Sequence, residues 1–587
     1  MTSLRLWPGV LLAVALLAVK LIVPLVAPEV TPLTVLGGAV LGLAIGIWWL
    51  FFSRAPWMER LGILALAAAA MFVTSRFLHV SIATGMMGYM FPIFAIPIVA
   101  LALAGGAVAA RRLDAPRRRI VLAAAVVIAS GSWTLVRTAG FDGNIDHDFA
   151  WRWSKTAEER LIAQANDEPP PPPAIAPAPA VPDAPVAAPA ADTPAPVAPV
   201  AAKAVPPPTW PGFRGPARDG VVRGVTIATD WNASPPAEVW RRPIGPGWSS
   251  FAVQGDLIYT QEQRGDDEIV AAYELKTGKP AWRHHDTARF WESNGGAGPR
   301  ATPTLDGGRV YALGATGILN VLDAATGALA WSHNAAADTG AKIPDWGFSG
   351  SPLVTDGLVI AATGGVLVAY DAKTGERRWI GPAGAEGYTS PQLMTIDGVR
   401  QIVHMNGDGL TGVSLEDGKP LWQHAWTGYP IVQPSLTPDG GILIVANESS
   451  GVRRLAVSHG SDGWRVEERW TSNRLKPWYN DFVVHKGYAY GFDGTILACI
   501  DLADGARKWK GGRYGGGQLV LLPDQNVLLV VSEEGELALV GATPDAFKEL
   551  ARVPAIAGKT WNHPVVAGDV VLVRNGEEMA AFRVARR

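Results

Sequence analysis

The sequence predicts an all-β, eight-bladed propeller of four-stranded antiparallel blades, preceded by an α-helical membrane anchor of about five transmembrane helices. Three observations predict this architecture. A short motif ending in glycine and then tryptophan returns at intervals of about 39 to 49 residues, each interval holds several short β patterns, and residues 1–140 are strongly apolar. Repeats of 40 to 50 residues that hold several strands each are typical of propeller blades.

The repeated motif is clearest at residues 369–379, which read AYDAKTGERRW. Its glycine allows the positive φ that a tight turn between strands needs, and its tryptophan offers a large flat surface to the neighbouring blade. Related copies lie at 272–282, 321–331, 412–422 and 499–509. We therefore predict that blade docking depends on Gly278 and Trp282, Gly327 and Trp331, Gly375 and Trp379, Gly418 and Trp422, and Gly505 and Trp509.

Two independent counts give eight blades. The first counts the closing tryptophans, which lie at 240, 282, 331, 379, 422, 470 and 509, and adds a unit at 538–550 that has lost its tryptophan. The second counts the turns that open the second strand of each unit, and it also gives eight. The strand ending at Trp240 precedes every complete unit, and residues 579–584 end the chain without an outer strand. We predict that the Trp240 strand completes the last blade and removes an open sheet edge.

The anchor is predicted at residues 1–140. Five apolar runs there are long enough to cross a bilayer, at 7–27, 33–53, 60–77, 84–110 and 119–138. Arginines cluster between the second and third runs and between the fourth and fifth, on one side of the membrane if the N-terminus is cytoplasmic. An odd number of spans then places the propeller in the periplasm, with the anchor in the inner membrane of a bacterium.

Between anchor and propeller we predict two segments. Residues 141–168 form a juxtamembrane segment with a short helix near 156–165, and residues 169–208 form a Pro/Ala-rich linker with 16 prolines. Such a linker is extended and semi-rigid, so forty residues span up to roughly 120 Å. The propeller itself is predicted at 209–587.

Residues 210–220 (WPGFRGPARDG), here called the opener, begin the globular part. Together with the Asp-x-x-Thr-Gly-x-x-x-Trp repeats, the opener resembles proteins of the pyrroloquinoline-quinone (PQQ) repeat superfamily, and the later stretches at 478–482 and 561–564 resemble an uncharacterised membrane-anchored branch of it. The superfamily includes quinoprotein alcohol and glucose dehydrogenases as well as a cofactor-free lipoprotein of the outer-membrane assembly machinery. The resemblance therefore implies the fold far more specifically than an activity.

Ligands of propellers bind at the mouth of the central channel, which the loop leading into each innermost strand surrounds. In this sequence those loops carry aromatic residues followed by small or polar ones. The resulting candidates for binding a cofactor or ligand are Trp248, Ser249, Arg300, Trp346, Ser351, Tyr388, Ser390, Gln433, Trp478, Asn480, Gln518, Trp561, Asn562 and His563. The alternative interpretation is that these aromatics pack loops and that small residues lie inside because the axis is crowded.

Asp481 is the candidate catalytic residue. In the dehydrogenases an aspartate acts as general base and a Ca²⁺ polarises PQQ, so the resemblance implies Asn480 and Asp481 as Ca²⁺ ligands. The alternative is that Asp481 anchors a turn or pairs with Arg300. His563 is either a hydrogen-bonded rim residue or a base.

Two functional hypotheses stay open at this point. The first is a periplasmic module that binds a protein or small-molecule ligand; the second is a PQQ-dependent dehydrogenase that oxidises an alcohol or sugar and reduces membrane quinone. Cys499 is the only cysteine and there is no Cys-x-x-Cys-His haem motif, so the chain lacks redox accessories of many quinoproteins. No basic run marks the propeller and the net charge is −2, so nucleic acid is not an expected partner.

Overall fold

The computed structural model describes residues 4–27, 30–141, 147–164, 169 and 207–587. The chain divides into two compact units, one formed by residues 1–156 and 291–297 and the other by residues 157–290 and 298–587. The predicted linker at 169–208 lies outside the described residues except for its first and last two positions.

The first unit is mainly helical. Five of its helices are long and apolar enough to cross a membrane, at Trp7–Val26, Leu33–Phe52, Trp57–Ser75, Met90–Ala109 and Ala115–Leu135, which confirms the predicted number. Its helical segments are Trp7–Leu21, Val23–Val26, Thr31–Ile47, Trp48–Phe52, Trp57–Ser75, Val80–Ala83, Gly85–Gly88, Met90–Ala109, Ala115–Gly131 and Ser132–Leu135. The fifth helical run stops before the predicted residue 138 because a strand begins at Val136. That strand, Val136–Phe141, pairs with His147–Trp151 in a hairpin that the sequence analysis missed.

The second unit contains eight four-stranded antiparallel sheets, so the predicted fold class is confirmed. The blades are numbered here in chain order. The first blade consists of Ala252–Gln254, Leu257–Arg264, Asp267–Glu274 and Pro280–Thr287, and the second of Thr304–Asp306, Arg309–Leu313, Ile318–Asp323 and Leu329–Asn334. The third blade consists of Leu353–Thr355, Leu358–Thr363, Val366–Asp371 and Arg377–Ile380, and the fourth of Gln392–Ile396, Val399–Asn406, Gly409–Ser414 and Pro420–Ala425. The fifth blade consists of Ser435–Leu436, Gly441–Ile444, Val452–Gly460 and Gly463–Ser472, and the sixth of Val483–His485, Tyr488–Asp493, Ile496–Asp501 and Arg507–Arg513. The seventh blade consists of Gln518–Leu522, Val527–Val531, Glu536–Gly541 and Glu549–Pro554.

The eighth blade joins the two ends of the propeller. Its inner strands Val565–Ala567, Val570–Arg574 and Glu578–Arg583 come from the end of the chain, and its outer strand Ala237–Pro243 comes from the beginning. Trp240 pairs with Ala581 in this sheet, as the sequence predicts. In the second unit, the short helices Ala157–Ala163, Ala335–Thr339 and Pro523–Gln525 lie outside the blades, and the strand pair Trp291–Glu292 and Gly296–Ala297 belongs to the first unit.

Most motif tryptophans lie against the turn glycine of the next blade. A Cβ added to Gly418 would lie 2.5 Å from the indole of Trp379, so only glycine permits this close approach. The Trp379 indole N–H also donates to the Leu415 carbonyl of the fourth blade, at 3.0 Å. The same arrangement joins the indoles of Trp240, Trp282, Trp331 and Trp470 to Gly278, Gly327, Gly375 and Gly505 respectively.

Two motif tryptophans differ, because the blade that follows each has lost the glycine turn. The Trp422 indole donates to Gln401 Oε1 of its own blade at 2.6 Å, and the Trp509 indole donates to the Thr543 carbonyl at 2.7 Å. The contacts that an indole makes at a blade junction therefore depend on the turn of the next blade as well as on the tryptophan itself.

Candidate functional site

The residues that lead into the inner strands form a hydrogen-bonded ring around the propeller axis. We call these eight positions the axial ring: Ser250, Thr302, Ser351, Ser390, Gln433, Asp481, Gln518 and His563. Six times in succession, the backbone N–H of one member donates to a side-chain oxygen of the member in the next blade. The distances in blade order are 2.9, 2.9, 2.9, 2.9, 2.7 and 3.4 Å.

The eighth blade is joined to the first by two further hydrogen bonds. There the Ser250 hydroxyl donates to the His563 carbonyl at 2.7 Å, and Asn562 Nδ2 donates to the Ser249 carbonyl at 2.7 Å. All eight members of the ring are buried. The polar side chains therefore bond neighbouring blades to one another, which is the way that buried polar groups are normally satisfied.

Asp481 is the charged member of the ring, and three groups bind its carboxylate. Oδ1 accepts the Gln433 N–H, while Oδ2 lies 3.2 Å from His563 Nε2 and 3.6 Å from Arg214 Nε. Burial alone would raise the pKa of Asp481, but the Arg214 guanidinium and His563 outweigh it and hold this pKa below its ordinary value. Asp481 is thus an ionised carboxylate whose Oδ1 accepts a hydrogen bond and whose Oδ2 lies within ion-pair distance of two basic side chains.

Arg214 belongs to the opener, which crosses the propeller axis. The opener pairs with the inner strands of two blades: Trp210 exchanges backbone hydrogen bonds with Val253 of the first blade, and the Leu521 N–H of the seventh blade donates to the Gly220 carbonyl at 2.8 Å. Arg214 also donates to the Phe482 carbonyl at 2.7 Å. The neighbouring Phe213 ring meets the His563 ring edge-on at 5.0 Å.

A second buried arginine of the opener lies on the other side of the ring. Arg218 donates to the carbonyls of Ser351 and Pro352, both at 2.9 Å. Burial and the neighbouring Arg214 lower the pKa of Arg218 to about 10, so the group stays charged at neutral pH. The opener therefore brings two guanidinium groups to the axis.

Asn480 and Asp481 do not offer the oxygen ligands that Ca²⁺ requires. Asn480 Oδ1 accepts the Trp478 N–H, and Asn480 Nδ2 donates to the Gly517 carbonyl at 2.5 Å. Asp481 Oδ1 accepts the Gln433 N–H, and Arg214 places a positive charge beside the carboxylate. A divalent cation with PQQ at this position would have to displace these contacts against the charge of Arg214.

Six aromatic side chains lie near the ring in sequence and contact one another, and the sequence analysis named four of them. We call them the aromatic rim: Trp248, Trp346, Tyr388 and Trp561, which were predicted, and Tyr429 and Tyr479. They form two groups. The Trp561 ring lies 4.7 Å from Trp248 and 5.0 Å from Tyr479, whereas the Trp346 ring lies 4.8 Å from Tyr388 and 6.4 Å from Tyr429.

Charged residues that the sequence analysis missed complete the first rim group. Trp561 donates to Glu533 Oε1 at 2.6 Å, the Gly516 N–H donates to Glu533 Oε2 at 2.8 Å, and the Lys559 ammonium lies 4.3 Å from the centre of the Trp561 ring. Glu533 follows an apolar strand of the seventh blade and carries no motif, so its role was visible only in three dimensions.

The other predicted candidates have separate surroundings. Ser249 is buried, and its hydroxyl oxygen accepts hydrogen bonds from Thr260 and from the Gln261 N–H, both at 3.2 Å. The Arg300 guanidinium lies over the Phe290 ring at 5.3 Å. Trp478 is half-buried.

Comparison with known proteins agrees with this architecture. The family model described as outer membrane protein assembly factor BamB matches residues 220–343 and 343–543, which is more than half of the chain. The chain is 24% identical over 326 residues to outer membrane protein assembly factor BamB of Burkholderia pseudomallei, a match that covers 47% of this chain and 84% of that protein.

Two further relatives show how wide the superfamily is. BamB of Yersinia pestis is 24% identical over 369 residues, covering 58% of this chain and 87% of that protein. Quinohemoprotein alcohol dehydrogenase ADH-IIG of Pseudomonas putida is 28% identical over 184 residues, covering 28% of this chain and 25% of that protein. The resemblance to PQQ-repeat propellers is thus confirmed, and the chain belongs to the protein family described as outer membrane protein assembly factor BamB.

Proposed function

We propose that this protein is a membrane-anchored propeller outside the cytoplasm that binds other proteins through its aromatic rim, in the assembly of envelope proteins. The observation that carries the proposal is that the axial ring and the aromatic rim differ in what their side chains contact. Ring side chains form hydrogen bonds between blades, whereas four of the six rim side chains are half-buried and one, Tyr429, is exposed. The name of the two relatives, outer membrane protein assembly factor, supports an assembly role.

The rim has the chemistry of a protein-binding surface. Tyrosine and tryptophan dominate the binding energy of protein interfaces because each combines a large apolar area with a polar group. Here Tyr429 is 44% exposed, and Lys559 and Glu533 lie beside Trp561. An extended segment of a partner protein would pack on the indoles and place a carboxylate near the Lys559 ammonium, while the buried Glu533 holds the Trp561 indole in position.

Photo-crosslinking tests the proposed surface. A photoreactive amino acid replacing Tyr429 or Trp248 in the full chain should give discrete crosslinks to envelope proteins in living cells. The same group at Lys373, on an exposed turn of the third blade, serves as the control. Crosslinks of equal pattern at both places would refute the rim as the binding surface, and so would none at the rim.

The anchor and its orientation form a second part of the proposal. Arginines 54, 60, 111, 112, 117, 118 and 119 lie in the loops predicted to be cytoplasmic, which favours a propeller on the outer side. Cys499 is buried, and burial raises the pKa of its thiol to about 12, so the native cysteine gives little background labelling. A Lys373→Cys variant should therefore react with a membrane-impermeant maleimide in cells whose outer membrane is permeabilised. Labelling only after lysis would place the propeller in the cytoplasm instead.

The dehydrogenase hypothesis predicts a different result. We expect instead that titrating PQQ into the purified full chain, with Ca²⁺ at the same saturating concentration in both solutions, gives no binding heat and no dye reduction with alcohols or sugars, because Asp481 and Asn480 take part in hydrogen bonds within the ring. Tight binding that Asp481→Ala abolishes would overturn the proposed function.

A further inference from the structure

A buried group of oxygen atoms lies between the first and second blades, away from the axial ring. Glu268 stands at its centre on the third strand of the first blade. Directly opposite on the two flanking strands are Gln263 and Asp286, so the three side chains share one face of the sheet. Side chains opposite one another on neighbouring strands lie about 5 Å apart at Cβ.

The second blade covers this face with a turn and one strand. The Ala315 N–H of the turn donates to Glu268 Oε1 at 2.7 Å, and Asn320 Nδ2 donates to Asp286 Oδ2 at 2.5 Å. Thr316 follows Ala315 in the same turn. Both carboxylates therefore touch the second blade, and the group bridges two blades.

Four oxygens of this group are buried without a hydrogen-bond partner among the described residues: Gln263 Oε1, Glu268 Oε2, Thr316 Oγ1 and Asn320 Oδ1. Gln263 is 0% exposed, Asn320 2% and Glu268 4%. The orientation of both amides is determined by their donors. Gln263 Nε2 donates to the Gly265 and Ala288 carbonyls, and Asn320 Nδ2 donates to Asp286, so neither amide can turn its nitrogen inward without losing those bonds.

Burying two facing carboxylates together with several oxygens that lack a donor costs free energy in the folded protein. A buried acceptor without a donor costs about 1–3 kcal/mol, and like charges directly opposite on neighbouring strands repel.

We propose that Glu268, Asp286, Asn320, Gln263 and Thr316 form a binding site for a divalent cation of the size of Ca²⁺ that ties the first blade to the second. Ca²⁺ accepts six to eight oxygens from carboxylates, amides, hydroxyls and water in irregular geometry, which suits this mixed set better than the octahedral preference of Mg²⁺. Asp286 is half-buried, so it gives the ion a path from solvent. His284 Nε2, 3.5 Å from Asp286 Oδ1, flanks that path.

Calorimetry and thermal unfolding of the full chain in detergent test the site. After treatment with a chelator, Ca²⁺ should bind with a stoichiometry of one and raise Tm, because a ligand that binds only the folded state stabilises it. The double variant Glu268→Gln/Asp286→Asn should lose both effects. The control variant Glu416→Gln/Asp417→Asn removes two exposed carboxylates of the fourth blade and should keep both effects.

A further variant separates this site from the axis. Asp481→Asn should bind Ca²⁺ as the wild type does, since Asp481 lies in the axial ring; loss of Ca²⁺ binding in that variant would overturn the proposal. An equal Tm in Ca²⁺ and in chelator, with no binding heat in the wild type, would also overturn it and would indicate water or a protonated Glu268 in the group. The wild-type result decides the matter even if the double variant fails to fold.

Discussion

The propeller joins its blades in two places, and the two differ in how they use the sequence. At the outer edge, five indoles lie on the turn glycines of the next blade, and the same residue types recur at every such junction. At the axis, the ring repeats one hydrogen bond with Ser, Thr, Gln and Asp as acceptors. The outer junction requires a shape, which few residues supply, whereas the axial junction requires only an oxygen at one point. The repeat is therefore visible in the residues of the outer junctions, whereas the axial ring repeats a hydrogen bond without repeating a residue type.

The largest effect is expected at Asp481, because it combines the ring bond with the charge of Arg214. Asp481→Leu leaves Arg214 buried without its carboxylate and the Gln433 N–H without its acceptor, so we expect a loss of about 4–6 kcal/mol in the free energy of unfolding. Urea unfolding followed by tryptophan fluorescence measures it. Asp481→Asn keeps an oxygen for Gln433 and should lose less. Equal stability of wild type and Asp481→Leu would mean that the axial ion pair contributes nothing.

The contrast also explains which parts of the molecule could be predicted. Eight blades and the closing strand followed from the spacing of glycine and tryptophan, which local turn chemistry and packing impose. The sequence analysis also named six of the ring residues, from Ser351 to His563, as lying near the axis. It did not reveal that they hydrogen-bond one blade to the next, because each bonding partner comes from another blade. Arg214 lies 267 positions before Asp481 in the numbering, and no local pattern links the two. The Val136–Phe141 hairpin was missed because its residues continue the apolar run of the fifth helix.

The outer junction is tested at Trp379. Trp379→Ala should destabilise the protein by roughly 3–5 kcal/mol, because it opens a cavity between the third and fourth blades above Gly418. Trp379→Phe keeps most of the apolar surface and loses the bond to Leu415, so it should cost only about 1 kcal/mol. Measured losses below 1 kcal/mol for the alanine variant would show that the indole does not hold the blades together.

Acid should distinguish the two junctions, since indoles do not titrate. Asp481 has a folded pKa below its ordinary value of 3.8, so its stabilising contribution is complete above that value and disappears as the pH falls through the lower folded pKa. The difference in unfolding free energy between wild type and Asp481→Asn should therefore shrink as the pH falls from 5 to 2. The difference between wild type and Trp379→Phe should stay constant over the same range.

His404 also titrates in this pH range, so the effect of Asp481 has to be measured as a difference between wild type and a variant. Burial lowers the pKa of His404 to about 4, below the ordinary value of 6.5, so the unfolded chain binds a proton first and stability falls as the pH drops from 6.5 to 4. This loss is common to wild type and to both variants, so it cancels in the differences. A difference for Asp481→Asn that does not change with pH would show that Asp481 is not ionised in the fold.

The smallest effect is expected where the ring uses a single neutral hydroxyl. Ser351→Ala removes the acceptor of the Thr302 N–H but leaves the Ser351 N–H bonded to Ser390, so the cost should be about 1–2 kcal/mol. Ser349 in the same loop provides the matched control, because its hydroxyl donates to the Tyr388 carbonyl outside the ring, and Ser349→Ala should cost less than 1 kcal/mol. If both variants lose the same stability, the ring adds nothing beyond ordinary loop hydrogen bonds. If Ser351→Ala costs more, neighbouring ring bonds must weaken with it, and the axial junction would then act as one cooperative unit while the outer junctions act separately.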